Sequence, residues 1–232
     1  MENSVRSMLI QKAIDTAASA KQSNGNSVQG YVAPDAVPSV DAVEPPAYYN
    51  PEVPEEWNEY AGKYIPQEMT EWLKKWGYFD VPAASQHGFW RGGLYEHSVA
   101  VTDTILQFCD ERGVHFQMTR SPYIVGMFHD LCMLDRNIMD ENGGFTVNEN
   151  PQFGSGHGNK SATILQQFIP DLTEEERLAI AFHMGSANTK TGDNVYESSP
   201  ERGTVFEKIC AKYPVVAVVH DADYYVSIVQ GI

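Results

Sequence analysis

Two side chains that are hard to bury stand together at His129 and Asp130, at the end of the apolar run from Tyr123 to Phe128. An imidazole and a carboxylate rarely enter a core without partners. A shared divalent cation would compensate both. Adjacent helical positions point about 100° apart, so one ion near their bisector could touch both. More donors of this kind recur along the chain. His97 follows Tyr95-Glu96, His157 precedes Gly158-Asn159-Lys160, His183 follows Phe182, and Asp223 closes His220-Asp221-Ala222-Asp223. So many imidazoles suit one or two ions of a divalent transition metal (Mn, Fe, Ni, Co or Zn) better than Mg or Ca, which prefer oxygen.

Each donor borders an apolar stretch with helical periodicity. The spacing predicts helices over about 93–112 (carrying His97), 120–133 (His129 and Asp130), 157–169, 173–185, 204–212 and 214–229 (Asp223). Thr173 and Glu176 form a capping box ahead of an apolar run. Residues 135–156 read as a loop with a turn at Asn142-Gly143-Gly144 and a small hairpin around Phe145–Val147. Trp57, Tyr60, Tyr64, Met69, Trp72, Leu73 and Trp76 recur at helical spacing, broken at Pro66, and read as core. The polar stretch 186–203 reads as a rim or lid. The fold class expected is therefore all-α, a helical bundle over 56–232. Residues 1–55 form an N-terminal arm: a weakly amphipathic helix at 1–21, then a Pro/Ser-rich linker, disordered or wrapped over the surface.

The order His97, His129-Asp130, His157, His183, Asp223 on separate helices resembles the HD-domain metal-dependent phosphohydrolase superfamily. Gly92-Gly93-Leu94-Tyr95-Glu96-His97-Ser98 is similar to its first ligand helix. His157-Gly158-Asn159-Lys160-Ser161, followed by Leu172-Thr173-Glu174-Glu175-Glu176 and His183-Met184-Gly185, is similar to a bacterial and phage branch that also holds HD-domain exoribonucleases. The resemblance covers roughly residues 78–232. It implies His97, His129, Asp130 and Asp223 as primary ligands. It implies His157 and His183 as ligands of a second ion bridged by Asp130, or as contacts to a substrate phosphate. It places the last ligand at Asp223 rather than Asp221, and leaves Asp221 and His220 to support or packing. His87 belongs to a segment that precedes the first ligand helix in that branch, and a substrate-facing role is expected of it.

Cations near such a centre would offset phosphate charge. Lys160, three residues after His157, and Arg91, just before Gly92-Gly93, are the candidates. One departure matters here. Many relatives place a Lys two or three positions after the His-Asp pair, where this chain has Cys132 and Met133. Arg136 or Lys160 would have to stand in. Asn159 likewise replaces an acidic residue common in the branch.

Composition narrows the substrate. The chain of 232 residues has 31 acidic against 16 basic side chains, a formal net charge of -15. That disfavours a broad nucleic-acid face, which needs clustered Lys and Arg, and favours a nucleotide or another small phosphorylated substrate. The three cysteines, Cys109, Cys132 and Cys210, form no CxxC pair and read as reduced core thiols of a cytosolic protein. The chain shows no basic leader and no bilayer-length apolar run, so a cytoplasmic location away from membranes is expected. The arm offers a route to a homodimer. The expected activity is metal-dependent hydrolysis of a phosphate ester. The rival readings are a 3'-5' exoribonuclease or phosphodiesterase, a non-catalytic nucleotide-binding regulator, and a di-iron oxygenase.

Overall fold

A computed structural model describes residues 37–185 and 202–232, except 48, 50, 141, 143 and 154–156; the side chains of 202–204 are also outside the description. The expected helix at 1–21, the first part of the linker and most of the 186–203 stretch lie outside the described residues. What is described is mostly helical, as expected, with one small hairpin.

The aromatic stripe folds as α1 (Trp57–Tyr60), a 3-10 turn (Gly62–Tyr64) and α2 (Gln67–Lys75). Pro66 sits at the N-cap of α2, where a missing N–H matters little. Trp57, Met69, Leu73 and Trp76 are buried. Trp57 stands edge-on to Phe79 at 5.1 Å and to Phe128 at 6.2 Å between ring centroids. Each such pair adds about 0.5–1.5 kcal/mol beyond simple burial. Phe128 immediately precedes His129, so this cluster fixes the end of a ligand-bearing helix.

Five further helices hold the core. They are α3 (Gly93–Arg112), α4 (Ser121–Phe128), α5 (Gly158–Phe168), α6 (Glu174–Ala181) and α7 (Arg202–Lys212). The last helix, α8 (Val215–Tyr224), runs on into a π-helical turn (Tyr225–Gln230). A 3-10 turn (Leu131–Asp135) leads into strands β1 (Asn137–Met139) and β2 (Phe145–Val147), paired antiparallel with Ile138 opposite Thr146. The two helices α3 and α4 pack closely, and α8 lies against α3 and α6. The close crossing of α3 and α4 depends on Gly126, where a Cβ would lie 2.3 Å from Thr102 Oγ1 and 2.7 Å from Thr102 Cα.

The expected capping box is present at α6. Glu176 N–H donates to Thr173 Oγ1 (3.1 Å), and Thr173 N–H donates to Glu176 Oε2 (2.8 Å). The same buried carboxylate accepts from Ser121 Oγ (2.9 Å) and Arg120 Nε (3.2 Å) at the start of α4. One glutamate thus ties together the N-termini of two eight-residue helices, each followed within two residues by a histidine.

Part of the expected linker lies on the helical body. Val40 and Tyr49 are buried. Val40 N–H donates to Gln167 Oε1 (2.9 Å), and Met139 N–H donates to the Tyr49 hydroxyl (3.0 Å). From residue 37 onward this segment is wrapped on the surface.

Candidate metal centre

The helix expected over 120–133 ends earlier, at Phe128. His129 keeps helical angles (φ -60°, ψ -32°), but Asp130 turns out of the helix (φ -108°, ψ 24°). The two side chains therefore approach each other across a break in the helix rather than from adjacent helical positions. The break aims the Asp130 carboxylate between two groups of imidazoles.

Both ends of the short helices use one device. A helix leaves its last carbonyls without intrahelical partners. Gly126 O accepts from His129 Nδ1 (2.8 Å), and Ile180 O accepts from His183 Nδ1 (2.7 Å), each ring reaching back three residues. With Nδ1–H committed, the Nε2 lone pair is left for a ligand. His183 lies past the end of α6, which stops at Ala181 rather than running to 185. His97, inside α3, donates from Nδ1 to the main-chain oxygen of Ile232 (2.9 Å).

The inward-facing atoms gather in two sets. In the first, His97 Nε2 is 3.2 Å from His129 Nε2 and 3.3 Å from Asp223 Oδ1, and His129 Nε2 is 3.7 Å from Asp223 Oδ1. In the second, Asp130 Oδ1 is 3.1 Å from His157 Nε2 and 3.4 Å from His183 Nε2. The other Asp130 oxygen, Oδ2, faces His129 Nε2 at 3.8 Å. Donors held about 2.1 Å from one tetrahedral ion stand roughly 3.4 Å apart. The spacings fall around that value. Asp130 Oδ1 and His183 Nε2 are buried with no hydrogen-bond partner. A buried polar atom of that kind needs a counterpart, and a cation bound between these donors supplies one. The residues present therefore fit a divalent metal ion, and the buried cluster is compatible with an HD-type centre.

Electrostatics follow from the packing. Burial works against the charged form of Asp130, but His157 and His129 outweigh it and hold the carboxyl well below its ordinary range. Asp223 is likewise held well below, with burial overcome by His129 and His97. Burial pushes the His183 ring down, keeping it neutral. For His129, burial is outweighed by Asp130 and Asp223, and the ring is pushed up. His157 is pushed well above the ordinary imidazole value by Cys132 and Asp130 against the effect of burial. Ionised carboxylates and a neutral imidazole are the forms that bind metals.

All six expected ligand residues are brought together. The substrate candidates disperse. His87 is half-buried, its ring stacked 4.9 Å from that of His97, and its Nδ1 donates to the same Ile232 oxygen (2.9 Å). Arg91 is largely exposed and pairs with Asp80 (2.8 Å). Arg136 is exposed at the start of the hairpin. Lys160 is buried, and its ammonium lies 2.6 Å from the fully buried Asp135. A buried carboxylate demands a counter-charge, which holds this amine to the hairpin base. Asp221 pairs with Arg112 (2.9 Å), outside the cluster. His220 donates from Nδ1 to His183 O (2.7 Å) and so supports a ligand.

Cys132 was expected only to pack, yet its Sγ lies 2.9 Å from His157 Nδ1. Sequence spacing carried no signal for that contact, because it depends on the chain breaking after His129.

No helix among the described residues is long and apolar enough to cross a membrane. No family model, curated protein or solved structure matches the chain.

Proposed function

We propose that this protein is a metal-dependent phosphohydrolase that cleaves a phosphate ester of a nucleotide or a similar small substrate. The observation that carries the reading is the sharing of one carboxylate, Asp130, between two adjoining donor sets. His97, His129, Asp130 and Asp223 would hold one divalent ion; Asp130, His157 and His183 would hold a second. When bound, such a pair lowers the pKa of a water toward neutrality and offsets charge on a phosphoryl group.

The chain's own residues supply orientation. The carbonyls of Gly126, Ile180 and Ile232 fix three rings so that each presents Nε2 inward. Burial keeps bulk water from these donors, which strengthens every charge interaction among them. His87, beside His97, is the titratable group placed to exchange a proton with a leaving oxygen. Lys160 does not enter this account. The basic groups left to meet a substrate phosphate are Arg136 and Arg91. The net charge of -15 favours a small substrate over a long polyanion.

The test pairs elemental analysis of the purified protein with hydrolysis of a nucleotide and phosphate-ester panel in Mn, Ni or Co. The expected result is bound metal, and activity abolished in D130A. A protein that takes up no metal and cleaves nothing in the panel refutes the reading and leaves a binding module.

A further inference from the structure

Four rings serve the cluster, and one is held differently. His97, His129 and His183 each donate from Nδ1 to a main-chain oxygen. Among the described residues His157 has no such carbonyl partner for that nitrogen; its Nδ1 meets the thiol of Cys132 at 2.9 Å, while its Nε2 faces Asp130 at 3.1 Å. A second link closes a ring around this contact. Cys132 N–H donates to Ser161 Oγ (3.0 Å), and Ser161 Oγ–H donates to His157 O (3.3 Å). Cys132 thus touches the side chain of His157 directly and grips its backbone through Ser161. Both Cys132 and Ser161 are buried.

His157 needs such support more than the other ligands. It stands at the N-cap of α5, with angles outside the helical and extended regions (φ -99°, ψ -90°). A residue at that position is not inside the regular turns of α5. Asp130, Cys132 and His157 also form a group of donor atoms within 4.8 Å of one another. Two roles for sulfur are open in that geometry: coordination, or support of the imidazole. The directions decide between them. If His157 ligates through Nε2, its proton sits on Nδ1 and points at Sγ. The sulfur then meets one ring nitrogen, Nδ1, while Asp130 meets the other, Nε2.

From this arrangement we infer that Cys132 is a positioning residue for the second cation site: its sulfur accepts the Nδ1–H of His157 and turns Nε2 toward Asp130 and His183. This inference rests on the two-site reading of the cluster. It assigns Cys132 to one site alone, since the first set of ligands makes no contact with the thiol in the described residues. Supporting partners of ligating histidines typically change metal affinity by about 10–100-fold when removed.

The experiment titrates Mn or Co into metal-free wild type, C132S, C132A and S161A. Stoichiometry and stepwise affinity are read by calorimetry and elemental analysis, and visible spectra are taken of the Co forms. Thermal melts of each metal-free variant confirm folding. C132A is expected to bind the first ion normally and the second about 10–100-fold more weakly. C132S, which keeps an acceptor at that place, is expected to recover most of the loss, and S161A to show a smaller loss at the same step. The inference is overturned if C132A takes both ions with wild-type affinity, or if it weakens both steps equally. It is also overturned if the wild-type Co form shows a sulfur-to-cobalt charge-transfer band that C132S lacks, because sulfur then coordinates the ion itself. A wild type that binds no second ion removes the two-site reading as well, an outcome separate from all of these.

Discussion

Replacing Gly126 by Ala tests whether the α3–α4 contact sets the metal centre. The new Cβ would meet Thr102 Oγ1 at 2.3 Å and Thr102 Cα at 2.7 Å. The hydroxyl can rotate; the Cα belongs to the backbone of α3 and cannot. Ordinary contact begins at 3.4 Å, so α4 must withdraw by about 0.7 Å. Overpacking of this kind costs about 1–3 kcal/mol. Alanine returns about 1 kcal/mol of helix propensity. The balance is a net loss of up to about 2 kcal/mol and a fall in Tm of up to about 8 °C for a chain of this length. The effect on the centre is larger in proportion. Gly126 O orients His129, and His97 stands on the opposing helix α3. Metal sites hold their distances to about 0.2 Å, well under the shift imposed. Metal affinity at the first site is expected to fall by about 10–100-fold. Scanning calorimetry and metal titration of G126A check both figures. Unchanged Tm and unchanged affinity together would refute the packing argument.

Three further outcomes follow from the same contacts. Saturating the metal-free protein with Mn or Co at about 100 times Kd should add about 2.7 kcal/mol of stability and raise Tm by about 5–11 °C; a chelator should reverse it, and a Tm indifferent to every metal would count against the centre. Metal uptake should release protons, because His129 and His157 are held above the ordinary imidazole value and must lose them to bind. The sign is then fixed: because both rings are held above the ordinary imidazole value of about 6.5, affinity begins to weaken on the alkaline side of that value as pH falls and goes on weakening below it, and calorimetry at neutral pH in two buffers of different ionisation enthalpy measures the release, with none detected opposing the account. Removing the Lys160 side chain should leave Asp135 buried without its counter-charge, a loss of about 3–5 kcal/mol; K160A with wild-type Tm but impaired turnover would instead return Lys160 to the substrate.

What was legible in the sequence was the donor set. Histidine and aspartate at the ends of apolar runs are chemically conspicuous, and all six candidate ligand residues lie together. Of Asp223 and Asp221, positions about 200° apart on a helix, Asp223 faces the imidazoles and Asp221 pairs with Arg112. Helix α3 matches its expected span because Gly92 and Gly113 bound it, both with positive φ. The break after His129 was not legible: no Gly or Pro marks it. Contacts across the fold were equally hidden. Lys160 reads as a helix-surface amine until Asp135, 25 residues earlier, is seen beneath it. Cys132 reads as packing until the turn at Asp130 swings it to His157.

The bond from His97 to Ile232 spans 135 residues of sequence. Contacts so distant form late, after the closure entropy of the intervening chain has been met. The cluster therefore cannot serve as a folding nucleus in the manner of a zinc finger, where the ion gathers a short peptide about itself. Here distant parts of the fold must meet first, with three of the rings steered by main-chain oxygens. A cation bound there would arrive last, into a socket whose shape was decided without it.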